Sequence, residues 1–347
     1  MPAIGGMAAP TTIAEIAREA GVGTATVDRV LNRRPGVNAD TLQRVMQAVE
    51  KLGTPPQPGR PRRGAEFRFA YVLPAECTPF FELVERQIAQ SAGDFRHQHI
   101  NEVTHRIDAA DPAQFAAELA QLGECDGIAL LAPDVPAVKL AINELVRGGV
   151  HVVTLFSDVT GSMRETHIGA DNRAAGRTAG LLLGRMAVEG DTLLLSSQAT
   201  RLSCEIDRRI GFAQVLEERF PALQLHRLQE LPADDEAAGA TLLRSLEDDI
   251  DPTRLAGLYN VGSASAGVAR VVASLGQARM PGVAAHDLCD AHRALLTSGE
   301  LAYVLHQDIH YCVLTAARVL RALCENLRGA LSVAQPRVEI LTAENLH

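Results

Sequence analysis

Residues 12–32 read Thr12-Ile13-Ala14-Glu15-Ile16-Ala17-Arg18-Glu19-Ala20-Gly21-Val22-Gly23-Thr24-Ala25-Thr26-Val27-Asp28-Arg29-Val30-Leu31-Asn32. Thr12 and Glu15 have capping-box spacing: the hydroxyl can accept from the Glu15 amide while the carboxylate reaches back to the Thr12 amide. Ile13, Ile16, Ala17 and Ala20 follow at helical spacing and predict one buried stripe. Gly21 sits where a helix must end in a left-handed residue. A second helix is expected from about Thr24. Its Val27, Val30 and Leu31 turn inward, leaving Thr24, Ala25, Asp28, Arg29 and Asn32 on other faces. Arg33-Arg34-Pro35-Gly36 reads as a loop. Asn38 caps a third helix in which Leu42, Val45, Met46 and Val49 are expected to face inward, and Gly53 stops it. Helix, glycine-containing turn, helix is the plan in which the second helix enters a DNA major groove.

Charge divides along the same line. The 347 residues carry 33 Lys and Arg against 42 Asp and Glu, a formal net charge of −9. Residues 1–65 hold nine bases and five acids, net +4, which leaves −13 for the rest. A basic head on an acidic body fits a molecule whose head alone meets phosphates, although a small solvated basic segment gives the same sum.

The 12–32 run, continued by Pro35-Gly36-Val37-Asn38, resembles the head of the lactose/galactose-repressor family of bacterial transcription factors. The resemblance implies that Thr24, Ala25 and Arg29 read bases and that Thr12, Thr26, Asn32 and Asn38 touch phosphate. Arginine can pair bidentately with guanine O6 and N7, while Thr24 and Ala25 offer mainly methyl contact to thymine. Asp28 stands where the family more usually has serine. It can accept from a cytosine amino group or hold Arg29 in place; the second is favoured, because phosphates repel a carboxylate.

The next stretch departs from that family. Where a short hinge helix is expected, the chain has Thr54-Pro55-Pro56-Gln57-Pro58-Gly59-Arg60-Pro61-Arg62-Arg63-Gly64. Four prolines and two glycines cannot make that helix, and no leucine is present to wedge the minor groove. Arg60, Arg62 and Arg63 either follow a DNA backbone or enter a narrow minor groove, or lie on a merely extended tether.

From residue 66 onward, apolar strand patterns alternate with helical ones. Strands are expected at Phe67–Pro74, Glu102–Ile107, Gly127–Pro133, His151–Ser157, Thr192–Ser197, Leu223–Leu231, Gly257–Val261, Val283–Asp287, Ala302–His306 and Val338–Leu341. Helices are expected at Phe81–Ser91, Pro112–Leu122, Val135–Arg147, Asn172–Met186, Asp207–Arg219, Ala237–Glu247, Ser265–Leu275 and His310–Arg328. Two such sets predict two doubly wound parallel sheets with a cleft at their strand carboxyl ends. The expected fold class is an all-α helix-turn-helix head plus an α/β domain of two parallel-sheet subdomains. The expected divisions are a head at 1–53, a linker at 54–65 and a ligand-binding domain at 66–347. Within the last, one subdomain takes about 66–166 and 306–329, the other about 167–305 and 330–347.

Catalysis is not expected. There is no GxxxxGK[ST] and no GxGxxG after a strand, and Gly262-Ser263-Ala264-Ser265-Ala266-Gly267 misses GxSxG in register. Six cysteines without a CxxC pair read as reduced thiols, and His97-Gln98-His99 lacks metal spacing, so no cofactor or metal is expected. No apolar run is long enough to span a membrane, and no basic-then-apolar leader opens the chain, which predicts a cytoplasmic protein.

Further marks sit where strands meet loops: His167–Gly176, Arg208-Arg209-Ile210-Gly211-Phe212, Tyr259-Asn260-Val261, Ala285-His286-Asp287 and Gln307-Asp308. With them, residues 66–347 resemble the periplasmic sugar-binding-protein-like effector domain that follows this head in the same family. The expected effector contacts are Phe80 or Phe81 stacking on an apolar sugar face, Arg208 as a fork, Asp158 and Asp287 as acceptors, and Asn260 and Gln307 as donor-acceptors. Competing readings make Arg208 and Asp287 a cleft-closing salt bridge, Phe80 and Phe81 core, His286 structural, and Asp171 and Asn172 helix caps. The whole reads as a homodimeric, ligand-responsive regulator, a repressor of a pseudo-palindromic double-stranded operator, with a sugar or polyol effector. A chain ending just past the last strand, without a heptad tail, predicts a dimer rather than a tetramer. A transport-type solute-binding protein, or a regulator that activates or needs its ligand as corepressor, is the alternative.

Overall fold

The computed structural model describes residues 12–31, 37–52, 66–76, 78–95, 99–198, 201–276, 280–327 and 333–346. Asn32, the 33–36 loop, the 54–64 strap and the Asp28 side chain lie outside what is described. The chain forms two units, residues 1–63 and 64–347.

The first unit is three helices: α1 (Ile13–Ala20), α2 (Thr24–Leu31) and α3 (Ala39–Leu52). Both halves of the capping box form: Glu15 N donates to Thr12 Oγ1 at 3.3 Å, and Thr12 N donates to Glu15 Oε2 at 2.7 Å. Gly21 ends α1 with φ of 61°, in the left-handed region. Ile16, Ala17, Ala20, Val27, Val30, Val45 and Ala48 make the core. Leu42 and Met46, expected to face inward, are 45% and 52% exposed instead. With Val45 and Ala48 buried, α3 presents a narrower apolar stripe, and its i, i+4 pair Leu42 and Met46 falls outside it.

The second unit contains two parallel sheets. The first is built from β1 (Phe67–Pro74), β2 (Ile100–Ile107), β3 (Gly127–Leu130), β4 (His151–Leu155) and β5 (Thr166–Ile168), in the order β2-β1-β3-β4-β5. Its covering helices are α4 (Pro79–Phe95), α5 (Pro112–Ala120) and α6 (Pro136–Arg147). The second holds β6 (Thr192–Ser196), β7 (Gln224–Arg227), β8 (Leu255–Asn260), β9 (Gly282–His286), β10 (Tyr303–Gln307) and β11 (Val338–Leu341), in the order β11-β10-β9-β8-β6-β7. Its helices are α7 (Asn172–Met186), α8 (Ser203–Arg219), α9 (Asp235–Asp249), α10 (Ser265–Ser274) and α11 (Asp290–Ser298). Leaving aside antiparallel β11, both sheets repeat one doubly wound order, whose reversal lies between β1 and β3 and again between β6 and β8.

The chain passes between lobes after β5 and again after β10. The next helix, α12 (Ile309–Cys324), returns to the first lobe, where Ile309, Cys312, Val313, Ala316 and Leu320 join its core. Because β5 pairs with β4 and β10 runs to Gln307, the lobe boundaries fall at about 169 and 308, slightly beyond the 166 and 306 expected. Strand β5 and helix α11 had no counterpart in the sequence reading.

Candidate functional site

Strand carboxyl ends of both sheets open into one cavity of about 720 Å³. The first lobe contributes Glu76, Thr78, Phe80 and Phe81 after β1, Leu131 and Pro133 after β3, and Phe156 after β4. The second contributes Gln198, Arg201, Glu205 and Arg208 after β6, Val261 to Ala266 after β8, His286 from the end of β9, Asp287 and Cys289 after it, and Gln307 from β10. Both reversal points therefore face the same space.

Phe80 is only partly buried and packs edge-on to Phe156, ring centroids 5.3 Å apart at 81°, and 5.7 Å from Phe81. The three rings form one apolar wall. Phe81 and Phe156 also belong to the first lobe's core, so both line the cavity and pack inside the lobe.

Facing that wall is a buried polar group. Arg208 and Asp287 are 6% and 5% exposed. Arg208 Nη2 lies 3.7 Å from Asp287 Oδ2, and Arg208 Nε donates to Asn172 Oδ1 at 2.8 Å. Gln307 Nε2 donates to Asp287 Oδ1 at 3.2 Å, which leaves Gln307 Oε1 buried without a partner. Glu205, one turn before Arg208 on α8, likewise has Oε2 buried without a partner. Burial pushes the Glu205 carboxyl up to about 7, against the opposing pull of Arg208 and Arg209. Burial, reinforced by Arg208, drives the His286 imidazole well below its ordinary value, so it is neutral, and it bonds to the Tyr259 hydroxyl. Burial alone would raise the Cys289 thiol, but its hydrogen bond with His292 outweighs that and lowers it.

Backbone conformation marks the same place. Phe156, Ala264 and Asp287 adopt φ of 59°, 60° and 60°, and all three line the cavity. Left-handed non-glycine residues are uncommon and gather at functional sites.

Of the expected effector residues, Phe80, Phe81, Arg208, Asp287 and Gln307 line this cavity; Asp158 and Asn260 do not. The Asp158 carboxylate is taken by Arg164, which bonds both oxygens, and by Thr154 Oγ1 at 2.8 Å. Burial raises it, but these bonds prevail and hold it below the usual carboxylate range. Asn260 is bonded within its own loop and to neighbouring β6. It donates to Gly262 O, Ser263 O and Ser265 Oγ at 3.1, 2.8 and 2.9 Å, and accepts from Ser196 Oγ at 2.8 Å. These bonds hold the β8–α10 loop in shape. Asp171 caps α7 through the Ala174 amide at 2.8 Å, whereas Asn172 donates to Phe156 O at 3.1 Å and bridges the crossing to Arg208.

Glu76, Phe156, Gln198 and Glu205 were not singled out from sequence. Glu205 was within reach of it, since a helix starting at Ser203 puts Glu205 and Arg208 three residues apart on one face.

On the head, Thr24, Ala25 and Arg29 are exposed on α2, and Thr26 is half-buried. Asn38 is exposed, and its Oδ1 accepts from Thr41 N at 2.8 Å, capping α3. Thr12 likewise spends its hydroxyl and amide on the α1 cap. Among the described residues, no group of three or more His, Cys, Asp or Glu can hold a metal, and no helix is long and apolar enough to cross a membrane.

A helix-turn-helix head and a two-lobed α/β unit with a cavity at its strand ends define a regulator-like molecule carrying a periplasmic-binding-protein-type domain. The model of the bacterial regulatory proteins of the lacI family matches residues 12–57, and that of the periplasmic binding protein domain matches residues 69–328. The chain belongs to the lacI family of regulators, with a periplasmic-binding-protein domain as its larger part.

The HTH-type transcriptional regulator MalR of Streptomyces coelicolor is 41% identical over 81 residues, 23% of each chain. The HTH-type transcriptional regulator GalS of Salmonella typhimurium is 26% identical over 196 residues, 52% of this chain and 56% of that one. The HTH-type transcriptional repressor CytR of Escherichia coli is 36% identical over 104 residues, 27% and 30% of the two chains. These alignments span about a quarter to about half of the relatives' length. Among solved structures, a solute-binding protein of Burkholderia graminis in complex with D-arabinose superposes with TM-score 0.73 at 19% identity, over 82% of this chain and 98% of that one. The glucose-galactose binding protein GanP of Geobacillus stearothermophilus gives 0.68 at 17%, over 81% and 99%. At such identity the likeness is one of fold.

Proposed function

We propose that this protein is a ligand-responsive transcriptional repressor. It binds a pseudo-palindromic operator as a cytoplasmic dimer and is controlled by a small polar effector, a sugar or polyol, held between the lobes. One observation carries the reading: the chain that bears a lacI-type head also encloses a cavity of about 720 Å³, with an aromatic wall on one lobe and a buried arginine–carboxylate–amide group on the other. Aromatic faces suit the C–H side of a sugar ring, and the polar group suits its hydroxyls. Effector binding across both lobes favours the closed arrangement, and differential affinity for two arrangements is all that allosteric control requires.

The test has two arms. A thermal-shift screen against sugars, polyols and sugar acids should yield a stabilising compound whose shift is lost in Arg208→Ala and Asp287→Ala. Unchanged shifts in both variants would place the effector elsewhere. On DNA, Arg29→Ala should abolish discrimination between operator and scrambled duplex while keeping most salt-dependent binding. Equal loss on both duplexes would mean Arg29 touches only phosphate.

A further inference from the structure

The charge lining the cavity is unbalanced. Arg208 and Asp287 are set against each other, and His286 is neutral. What remains is four acidic side chains, Glu76, Glu205, Glu230 and Asp235, against Arg201 and the His292 imidazole, which burial would lower but its bond to Cys289 raises. A cleft lined by one sign of charge between low-dielectric walls concentrates counter-ions of the other sign. The unpaired polar atoms point the same way. Glu205 Oε2 and Gln307 Oε1 are both buried without a hydrogen-bond partner in the protein, and both residues line this cavity. A buried acceptor left unpaired is costly, so a good occupant brings donors. A metal ion does not answer the need, because no cluster of three metal-ligating side chains exists among the described residues.

Resting on the effector reading above, we propose that the effector carries a protonated amine that docks against Glu205, so that the cavity selects amino sugars or amino polyols over their neutral and acidic counterparts. An ammonium supplies three N–H donors and a positive charge from one small group, where a hydroxyl supplies one donor and none of the charge. The aromatic wall of Phe80 and Phe156 stands in the same cavity and accommodates the apolar face of the remaining ring or chain, and it favours a cation as well. Glu76, from the opposite lobe, is close enough to raise Glu205 electrostatically, so an amine between them relieves a repulsion that lobe closure would otherwise build.

The experiment uses the full chain and matched probes: glucose, glucosamine and glucuronate, the arabinose and glucitol series in the same neutral, amino and carboxylate forms, and the same panel on Glu205→Gln. The amino member of at least one series should give the largest thermal shift, and titration should show at least tenfold tighter binding than its neutral partner. Glu205→Gln should bring the two within about threefold of each other, chiefly by weakening the amino member. A neutral or acidic member that stabilises more than its amino partner overturns the amine assignment and leaves the effector cavity standing. Retention of the amine preference in Glu205→Gln overturns the role of Glu205. If no member shifts the protein, the amine assignment fails too, while sequence-selective binding to operator DNA decides the regulator reading independently.

Discussion

Glu205 bears a carboxyl whose ordinary value of 4.5 is pushed up to about 7 by burial in the cavity wall. The folded state therefore prefers the neutral acid, and the unfolded chain does not. Below about pH 4.5 both states hold the proton, and the group is neutral in its effect. Between there and about pH 7 the unfolded chain ionises first, so stability falls as pH rises, levelling off above 7. A difference of this size is worth at most about 3 kcal/mol. Glu205→Gln cannot ionise, so it should gain on the parent by up to that amount at pH 8 and by almost nothing at pH 4.5, read as the difference in urea-unfolding free energy at the two pH values. Equal differences at both would mean that the carboxyl titrates normally. The same residue shows where sequence reading stopped. The cavity positions of Asp287 and Gln307 were legible because both stand at strand ends, and that of Arg208 because it lies near the start of the helix expected at 207–219. Asp158 and Asn260 sit at equivalent strand ends but are bonded to Arg164 and Thr154 and to the β8–α10 loop and Ser196 of β6, partners that strand-end position alone does not reveal.

Helices α7 and α8 hold the polar group in register. A Cβ on Gly176 of α7 would come within 1.9 Å of Arg208 O, and one on Gly211 of α8 within 2.1 Å of Arg173 O. The backbones touch at these two points, and the carbonyl met by Gly176 belongs to the arginine that reaches the cavity. Gly176→Ala should force the helices apart, destabilising the protein by about 2–3 kcal/mol and weakening effector binding through displaced Arg208. Gly123→Ala, with no neighbour nearer than 3.9 Å, should leave both measurements close to the parent. Equal melting temperatures for the two variants would refute the close approach. These glycines were visible in the sequence within marks at 167–176 and 208–212, but the reason for them was not, because helix contact is a property of two segments. Elements were read well where a period had room to show itself: β1, α7 and β11 have the bounds expected for them. Strand β5 has three residues, too few to display alternation, and was missed. Leu42 and Met46 carried a helical period on α3 that overstated its buried face.

At the scale of the whole effector unit, the lobes are tied by contacts that a ligand would bear on. Asp134 N donates to Arg201 O at 2.9 Å across the cleft, and Ser203 Oγ donates to Asp158 O at 2.7 Å while accepting from Asp158 N at 2.9 Å. One tie runs straight out of the cavity. Arg208 Nε donates to Asn172 Oδ1, and Asn172 Nδ2 donates to Phe156 O at 3.1 Å and Ala170 O at 3.3 Å. Asn172 opens α7 immediately after the chain crosses between lobes, and Phe156 belongs to the aromatic wall of the other lobe. A ligand pressing on Arg208 and Phe156 together therefore acts on both ends of one amide at the crossing. Coupling between sites requires an element that both sites bias, and this amide is placed to be part of one. Asn172→Ala keeps the carboxylates and aromatic rings of the cavity but removes the bridge. It should leave effector binding within about tenfold of the parent, since Asp287 still holds Arg208, while cutting the effector's influence on operator affinity to less than about fivefold, a coupling of about 1 kcal/mol. Operator titrations with and without a saturating effector identified by thermal shift would decide it. A variant that binds effector weakly but responds on DNA in full would show that closure is transmitted by the other crossings, and that Asn172 serves only to seat Arg208.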